Sequence, residues 1–438
     1  MLGRPGDTLA CSPSPTEPSL GSKLHIPTPA VSELESFREQ TRTWLEANCP
    51  PSMRWSAEGP PSNLLNRRPQ QASSLIWGGR KQEYENPESK QWLDLMAERG
   101  WTAPTWAREH GGGGLSKGQA KVLSQEMAAI HAVPPLIGFG LTMIGPLLVD
   151  HGTEEQKKTF LPPTCRGEIR WCQGYSEPGA GSDLAGLQTK GTLDGDHWIV
   201  SGQKVWTSYA DQSDWMFCLV RTEPEASKHS GISFLLFDME TEGVSVRPIP
   251  LISGYSPFCE TFLEDVRVPV DQVVGGVGNG WTMAKALLGH ERSMISEAFS
   301  EPTRSNRLVD VAREHLGDGN GGIRDAIVRD DIARLTMDKV CLDMTIQRIK
   351  EAAKLGEQPG AETSILKYFA TELNKDRYSL LVSILGPQAL GWEGVGFEDE
   401  ELALTREWLR SRGNSIEGGT SEIQLNIIAK RVLGLPEA

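Results

Sequence analysis

The apolar residues of this chain change their spacing twice, and that double switch limits the folds open to it. In the first third they keep a helical three–four spacing. From Ser32, where Ser32 and Glu35 form a capping box, Leu34, Phe37, Thr41, Trp44 and Leu45 share one face. Helical character continues over residues 88–165, with a second capping box at Thr153 and Gln156 and with Pro162-Pro163 predicted to end the run. Between Ile169 and Val270 the pattern becomes short apolar runs set off by turn residues. Asp194-Gly195 precedes His197–Val200, Trp215–Val220 and Ile232–Phe237 follow, and Gly243 opens Val244–Ile249. After Trp281 the three–four spacing returns in Val328, Ile332, Leu335, Leu342, Ile346, Ile349 and Ala353, and again in Leu366, Phe369, Ala370, Leu373 and Leu380. A Gly/Pro linker from Gly356 to Gly360 joins these two amphipathic stretches, which predicts antiparallel bundle packing.

The predicted class is therefore α+β. A Pro- and Ser-rich disordered tail (1–31) precedes an N-terminal helical domain (32–166), a central β barrel or sandwich (167–276) and a C-terminal four-helix-bundle domain (277–438).

Charge and composition remove several functions. Lys and Arg total 44 against 58 Asp and Glu, a net charge of −14, so the chain repels a phosphate backbone and no nucleic-acid partner is expected. Seven scattered cysteines without a C-x-x-C pair fit a reducing, cytoplasmic setting better than a disulfide framework or a zinc ribbon. Eight histidines without ligand spacing give no metal site. Ala132–Val149 carries no charge, but its Pro134, Pro135, Gly138, Gly140, Gly145 and Pro146 fit a buried soluble segment and not a membrane span. The amino terminus lacks a basic start followed by an apolar stretch, so a secretory signal is not supported.

Three segments carry chemistry. The first, Trp171–Asp183, leads from a strand into a loop containing Gly179, Gly181, Ser176 and Ser182, whose N–H and O–H donors can approach an anion. The second, Lys204-Val205-Trp206-Thr207-Ser208, sets an indole beside small hydroxyls, able to stack on a ring and bond its edge. The third, Glu417–Gln424, places Gly418 and Gly419 ahead of a Ser421/Gln424 capping box at a helix start, an anion-receiving arrangement. Taken singly, each also fits an ordinary turn, a core tryptophan or a plain cap. No Walker-type or G-x-G-x-x-G loop is present, and Gly174-Tyr175-Ser176-Glu177-Pro178 lacks the final glycine of a hydrolase nucleophile elbow.

In wording and order the three segments resemble the acyl-CoA dehydrogenase family, over residues 32–436. The resemblance implies FAD held between the β domain and the C-terminal bundle, and removal of two hydrogens from Cα and Cβ of an acyl-CoA to give the trans-2-enoyl-CoA. It assigns Gln173, Tyr175, Ser176, Ser182, Trp206, Thr207, Ser208, Gly419, Thr420, Ser421 and Glu422 to the flavin, with Ser182 also near substrate. Such a reaction needs a carboxylate base for the acidic Cα–H and a hydride acceptor, flavin N5, for Cβ–H.

The base is where this chain departs from the commonest family pattern. Many members carry the catalytic Glu immediately before Gly-Thr-Ser, where this chain has Gly418. A second family arrangement puts the Glu on an earlier helix before an Arg, matched here by Leu287–Arg292; it makes Glu291 the expected base and Arg292 its substrate-side neighbour, with Glu417 as rival. The missing side chain at 418 implies room for a bulky acyl group. A family Q-x-x-G-G flavin contact from a neighbouring subunit has no clear counterpart at Ser383–Pro387. By the same resemblance, electrons pass to an electron-transferring flavoprotein and the assembly is a homodimer or homotetramer. The alternative within the family's reach is a flavin oxidase or hydroxylase acting with oxygen on a different substrate.

Overall fold

A computed structural model describes residues 29–55, 76–288, 303–319, 322–354 and 360–436. Its first helix, α1 (Pro29–Asn48), begins at Pro29 and takes in the last residues of the expected tail, so Ser32 lies inside the helix and not at its start. Proline at a first helical position costs no hydrogen bond, because that N–H has no partner in any helix. Thr41 and Leu45 are buried along one face of α1, with Cys49 buried just past its end, and Trp44 packs edge-on to Trp101 at 4.9 Å. Glu126 of α3 (Lys117–Ala129) is buried beneath α1, where Arg38 Nη1 at 2.5 Å and Arg42 Nε at 2.8 Å donate to its carboxylate. Between these, α2 (Pro87–Glu98) is capped by Asn86, which accepts from Glu88 N.

The uncharged segment folds as a π turn (Gly140–Ile144) running into α4 (Gly145–His151), and Met143, Ile144, Leu147 and Leu148 are buried. Among the described residues no helix is long and apolar enough to cross a membrane. The capping box of α5 (Glu154–Cys165) forms as expected from Thr153 and Gln156, but the helix does not stop at Pro162-Pro163. The carbonyls those prolines leave without donors belong to Lys158 and Thr159, which are exposed to water, while Phe160, Leu161 and Cys165 anchor the last turn in the core.

The central domain is a curled seven-stranded sheet of β1 (Trp171–Gly174), β2 (Lys190–Asp194), β3 (His197–Ser208), β4 (Trp215–Arg221), β5 (Ile232–Asp238), β6 (Val244–Ile249) and β7 (Phe258–Pro269). Its path runs β1-β4-β2-β3-β7-β6, with β5 on β4; β1 and β4 are parallel. Met216, Cys218, Val220, Leu235 and Phe237 face the inside of the curl with Val200, Val266 and Val268. Phe217, Leu219, Phe234 and Leu236 face the other way, against Leu147, Phe160 and Leu161 of the helical domain. Both faces of β4 and β5 are thus covered, which explains why those runs are continuously apolar and not alternating.

Residues 280–288 are helical (α6) and send Met283, Ala284 and Leu287 into the same cluster. The C-terminal domain continues with α7 (Thr303–Leu316), a two-residue ribbon of β8 (Asp318–Gly319) and β9 (Gly322–Ile323), α8 (Ala326–Lys354), α9 (Thr363–Leu385), α10 (Asp399–Ser411) and α11 (Ser421–Ile427). Ile332 and Leu335 cluster with Leu381, Ile384 and Leu385, and Leu342 and Ile346 with Leu366 and Ala370, so α8 and α9 run antiparallel.

Candidate active site

The site is assembled from the loop after β1 and the carboxyl end of β3. Strand pairing of β3 with β7 slips between Lys204 and Thr207: Lys204 faces Thr261, but Thr207 already faces Cys259. One extra residue is therefore accommodated on β3, and Trp206 takes φ +61, a conformation bulky residues rarely adopt. The bulge turns the indole outward; Trp206 is 53 % exposed while Thr207 is wholly buried, its hydroxyl accepting from Thr261 Oγ1 at 3.3 Å. Ser208 is half-buried at the strand end.

The bulge frees the N–H of Val205 from the ladder, and it donates to the carbonyl of Ser176 at 2.9 Å. Next to it Lys204 Nζ, with no exposure, donates to the Tyr175 carbonyl at 3.2 Å and to Glu177 Oε1 at 2.8 Å. Glu177 in turn accepts from Gln188 N at 2.6 Å and Thr189 N at 2.9 Å. Burial alone pushes this carboxyl upward, but Lys204 and the hydrogen bonds outweigh it and hold Glu177 below the usual carboxylate range. The ring of Tyr175 lies in the core, edge-on to Phe217 and Phe234 at 6.1 and 6.3 Å, so this residue offers its backbone to the loop and not its phenol. Ser182 is exposed on the following excursion, beside an Asp183–Lys228 ion pair at 2.6 Å.

The third segment is cross-braced to the second. Phe258, opposite Ser208, meets Trp206 edge-on with ring centroids 5.9 Å apart, and the Arg410 guanidinium lies 5.3 Å over Phe258. Arg410 Nη2 donates to Glu417 Oε2 at 2.6 Å, and Asn414 Nδ2 donates to the other oxygen of Glu417. Gly418 and Gly419 follow with φ +64 and +90. The helix cap is Thr420, whose hydroxyl accepts from Ile423 N, and not Ser421 as the spacing suggested. Ser421 donates instead to Glu372 of α9 at 3.2 Å, and Gln424 Nε2 reaches the Gly418 carbonyl at 3.3 Å. Lys367 Nζ braces the Asn414 carbonyl at 3.0 Å, with its pKa lowered by burial, an effect that Glu417 and Glu372 oppose. Glu422 is exposed in the first turn of α11.

Glu291 and Arg292 lie outside the described residues. Lys204, Phe258, Arg410 and Asn414 carry no family wording and were not anticipated. The signal for Lys204 was present: it stands at an inward position of an alternating strand, where a charge requires a partner. A concavity of about 330 Å³ lined by Arg80, Tyr84, Lys90, Arg166 and Glu168 contains none of the motif residues, and its charged groups are paired internally. Among the described residues no cluster of potential metal ligands occurs.

The chain is thus a helical domain, a curled sheet and a helical bundle, with the exposed indole of β3 cross-braced to the glycine-rich loop before α11. Family models for the acyl-CoA dehydrogenase N-terminal, middle and C-terminal domains match residues 77–168, 172–266 and 278–433. Acyl-CoA dehydrogenase IpdE1 of Mycobacterium tuberculosis is 35 % identical over 413 residues, covering 93 % of this chain and 99 % of that protein. Acyl-CoA dehydrogenase FadE34 of the same organism is 37 % identical over 80 % of this chain, which spans 47 % of its length. Among solved structures, one described as the Tcur3481-Tcur3483 steroid ACAD covers 95 % of this chain and is itself covered completely, at 29 % identity and a TM-score of 0.71. The ChsE4–ChsE5 complex from Mycobacterium tuberculosis gives 30 % identity and a TM-score of 0.68, covering 95 % of this chain and 100 % of that one. The chain belongs to the acyl-CoA dehydrogenase family and is an oxidoreductase of acyl-CoA thioesters.

Proposed function

We propose that this chain binds FAD and oxidises a bulky, ring-bearing acyl-CoA to its trans-2-enoyl-CoA, with Glu291 as the base. The observation that carries the reading is the line from Trp206 through Phe258 and Arg410 to Glu417, which brings the β3 segment and the Gly418–Thr420 loop to one place. The residues present fit a flavin: an indole at a bulge, and Gln173 with a buried Nε2 lacking a partner among the described residues, a donor suited to a ring-edge acceptor. When bound, FAD supplies the acceptor for the hydrogen that leaves Cβ as hydride.

The protein's own work is alignment and proton transfer. Trp206 provides a flat apolar wall, and the Gly418–Gly419 backbone lets a ligand approach closely. The Cα proton must go to a carboxylate. Both oxygens of Glu417 are engaged by Arg410 and Asn414, and residue 418 has no side chain; the proposed base is the Glu291 that resemblance to the family's second arrangement implies. Two features favour a bulky substrate: the glycine at 418, and similarity to a protein described as a steroid acyl-CoA dehydrogenase. Assembly with a second chain, alike or related, and electron delivery to an electron-transferring flavoprotein complete the proposal; the ChsE4–ChsE5 structure is a complex of two proteins.

The test is anaerobic titration of the flavin-loaded protein with an acyl-CoA panel. Bleaching by ring-bearing acyl-CoAs, with little by butanoyl-CoA, supports the reading; equal turnover of both contradicts the substrate class. Rapid reoxidation by air would favour an oxidase.

A further inference from the structure

The fully buried ion pair between Lys204 and Glu177 sits where two chain segments of the site converge. Lys204 and Val205, the two residues before Trp206, bind the three consecutive loop residues Tyr175, Ser176 and Glu177. Glu177 also closes the excursion that follows it. Its N–H and C=O pair with those of Ala180, and its carboxylate takes the N–H groups of Gln188 and Thr189, so both ends of the Pro178–Leu187 loop are tied to one residue, the near end by its backbone and the far end by its side chain. Ser182 rides on that loop.

A buried ion pair is seldom a source of net stability. The desolvation of two charges is large, and well-packed neutral residues often replace such a pair at no loss. A lysine with 0 % exposure and a carboxylate with 7 % are therefore poorly explained by stability alone. The geometry points to a positioning role: the Glu177–Lys204 pair sets the separation between the Ser176–Ser182 loop and the Trp206 bulge, and so fixes two walls of the flavin site. Among the described contacts the Lys204 ammonium has only Glu177 and the Tyr175 carbonyl as partners, while Trp206 is mostly solvent-facing and sits in a conformation its own residue type does not favour. Released from Lys204, the bulge retains only the Val205–Ser176 hydrogen bond to the loop. This inference rests on the flavin reading of the site, but the latch itself can be probed without cofactor.

The experiment is the double variant Glu177→Gln with Lys204→Met, which removes both charges at nearly constant volume and leaves neither stranded. Unfolding of the cofactor-free protein, amide exchange at Val205 and the dissociation constant for added FAD are measured for variant and parent. Expected results are a comparable unfolding midpoint, faster exchange at Val205 and FAD binding weakened about tenfold or more. The single variant Glu177→Gln, which strands a buried ammonium, should lower the unfolding midpoint, and the second substitution should restore it without restoring FAD affinity. Unchanged exchange and unchanged FAD affinity in the double variant would overturn the positioning role, and so would recovery of affinity together with stability. If the parent protein itself bound no FAD, the flavin reading would fail, while exchange at Val205 would still decide whether the latch exists.

Discussion

Arg410 holds Glu417 by a 2.6 Å hydrogen bond from Nη2, and the same guanidinium lies over the ring of Phe258. Glu417 is thereby a bracing group between α10 and the Gly418–Thr420 loop, oriented by a cation and an amide. A carboxylate so engaged is a poor general base, because removing its partners costs what protonation gains. Glu417→Gln is expected to slow substrate-dependent flavin reduction by less than about tenfold, since a partly exposed ion pair contributes little. A stopped-flow reduction rate checks this, and a thousandfold loss would return Glu417 to the role of base.

Gly418 has φ +64, so its glycine does more than open space. Placing Glu at 418 restores the commonest family wording but forces a side chain into the left-handed region, at about 1–2 kcal/mol. The Gly418→Glu variant should unfold at lower temperature and lose ring-bearing acyl-CoAs before short ones. A comparison of kcat/KM for two acyl groups, with a melting curve, reads both effects.

Trp206 is half in solvent, and truncating it removes little buried area. Trp206→Ala should change the stability of the cofactor-free protein by less than about 1 kcal/mol, in part because alanine also dislikes the bulge conformation. The same change should weaken FAD binding about tenfold through loss of the stacking face. Fluorescence titration with FAD separates the two outcomes; a large stability loss with unchanged affinity would make Trp206 a structural residue.

Acid should act through Glu177. Its pKa is depressed in the folded state, with burial opposing and Lys204 and the loop amides prevailing. The unfolded chain therefore binds a proton more readily, so the stabilisation is complete above the ordinary carboxylate pKa and is lost as pH falls below about 4. The protein should lose stability in that window, and the charge-free Glu177→Gln/Lys204→Met variant should lose less. Denaturant midpoints at pH 3.5 and 6, values on either side of about pH 4, test the difference.

Much of the fold was legible because period is a local property. The two period switches located the sheet between helical regions, and the Thr153/Gln156 box formed as spacing required. Where expectation failed, tertiary context prevailed. Pro162-Pro163 stayed helical because their orphaned carbonyls face water and Phe160 holds the turn; Thr420 displaced Ser421 as cap because Ser421 finds Glu372 across the bundle. The motif segments could be read as candidates, yet their bracing could not. Arg410 and Phe258 are remote in sequence from Trp206, and no local pattern announces a stack that forms only when α10 meets the β6–β7 edge. Lys204 alone carried a local signal, a charge at an inward strand position, though its bracing role emerged only in the fold.

The most direct measurement is anaerobic flavin reduction by a ring-bearing acyl-CoA in the Glu291→Gln variant, with FAD binding confirmed beforehand. The account predicts normal FAD affinity and a reduction rate lowered at least about a hundredfold, the range that loss of a general base entails. Reduction at the parent rate in a fully loaded Glu291→Gln protein would contradict it.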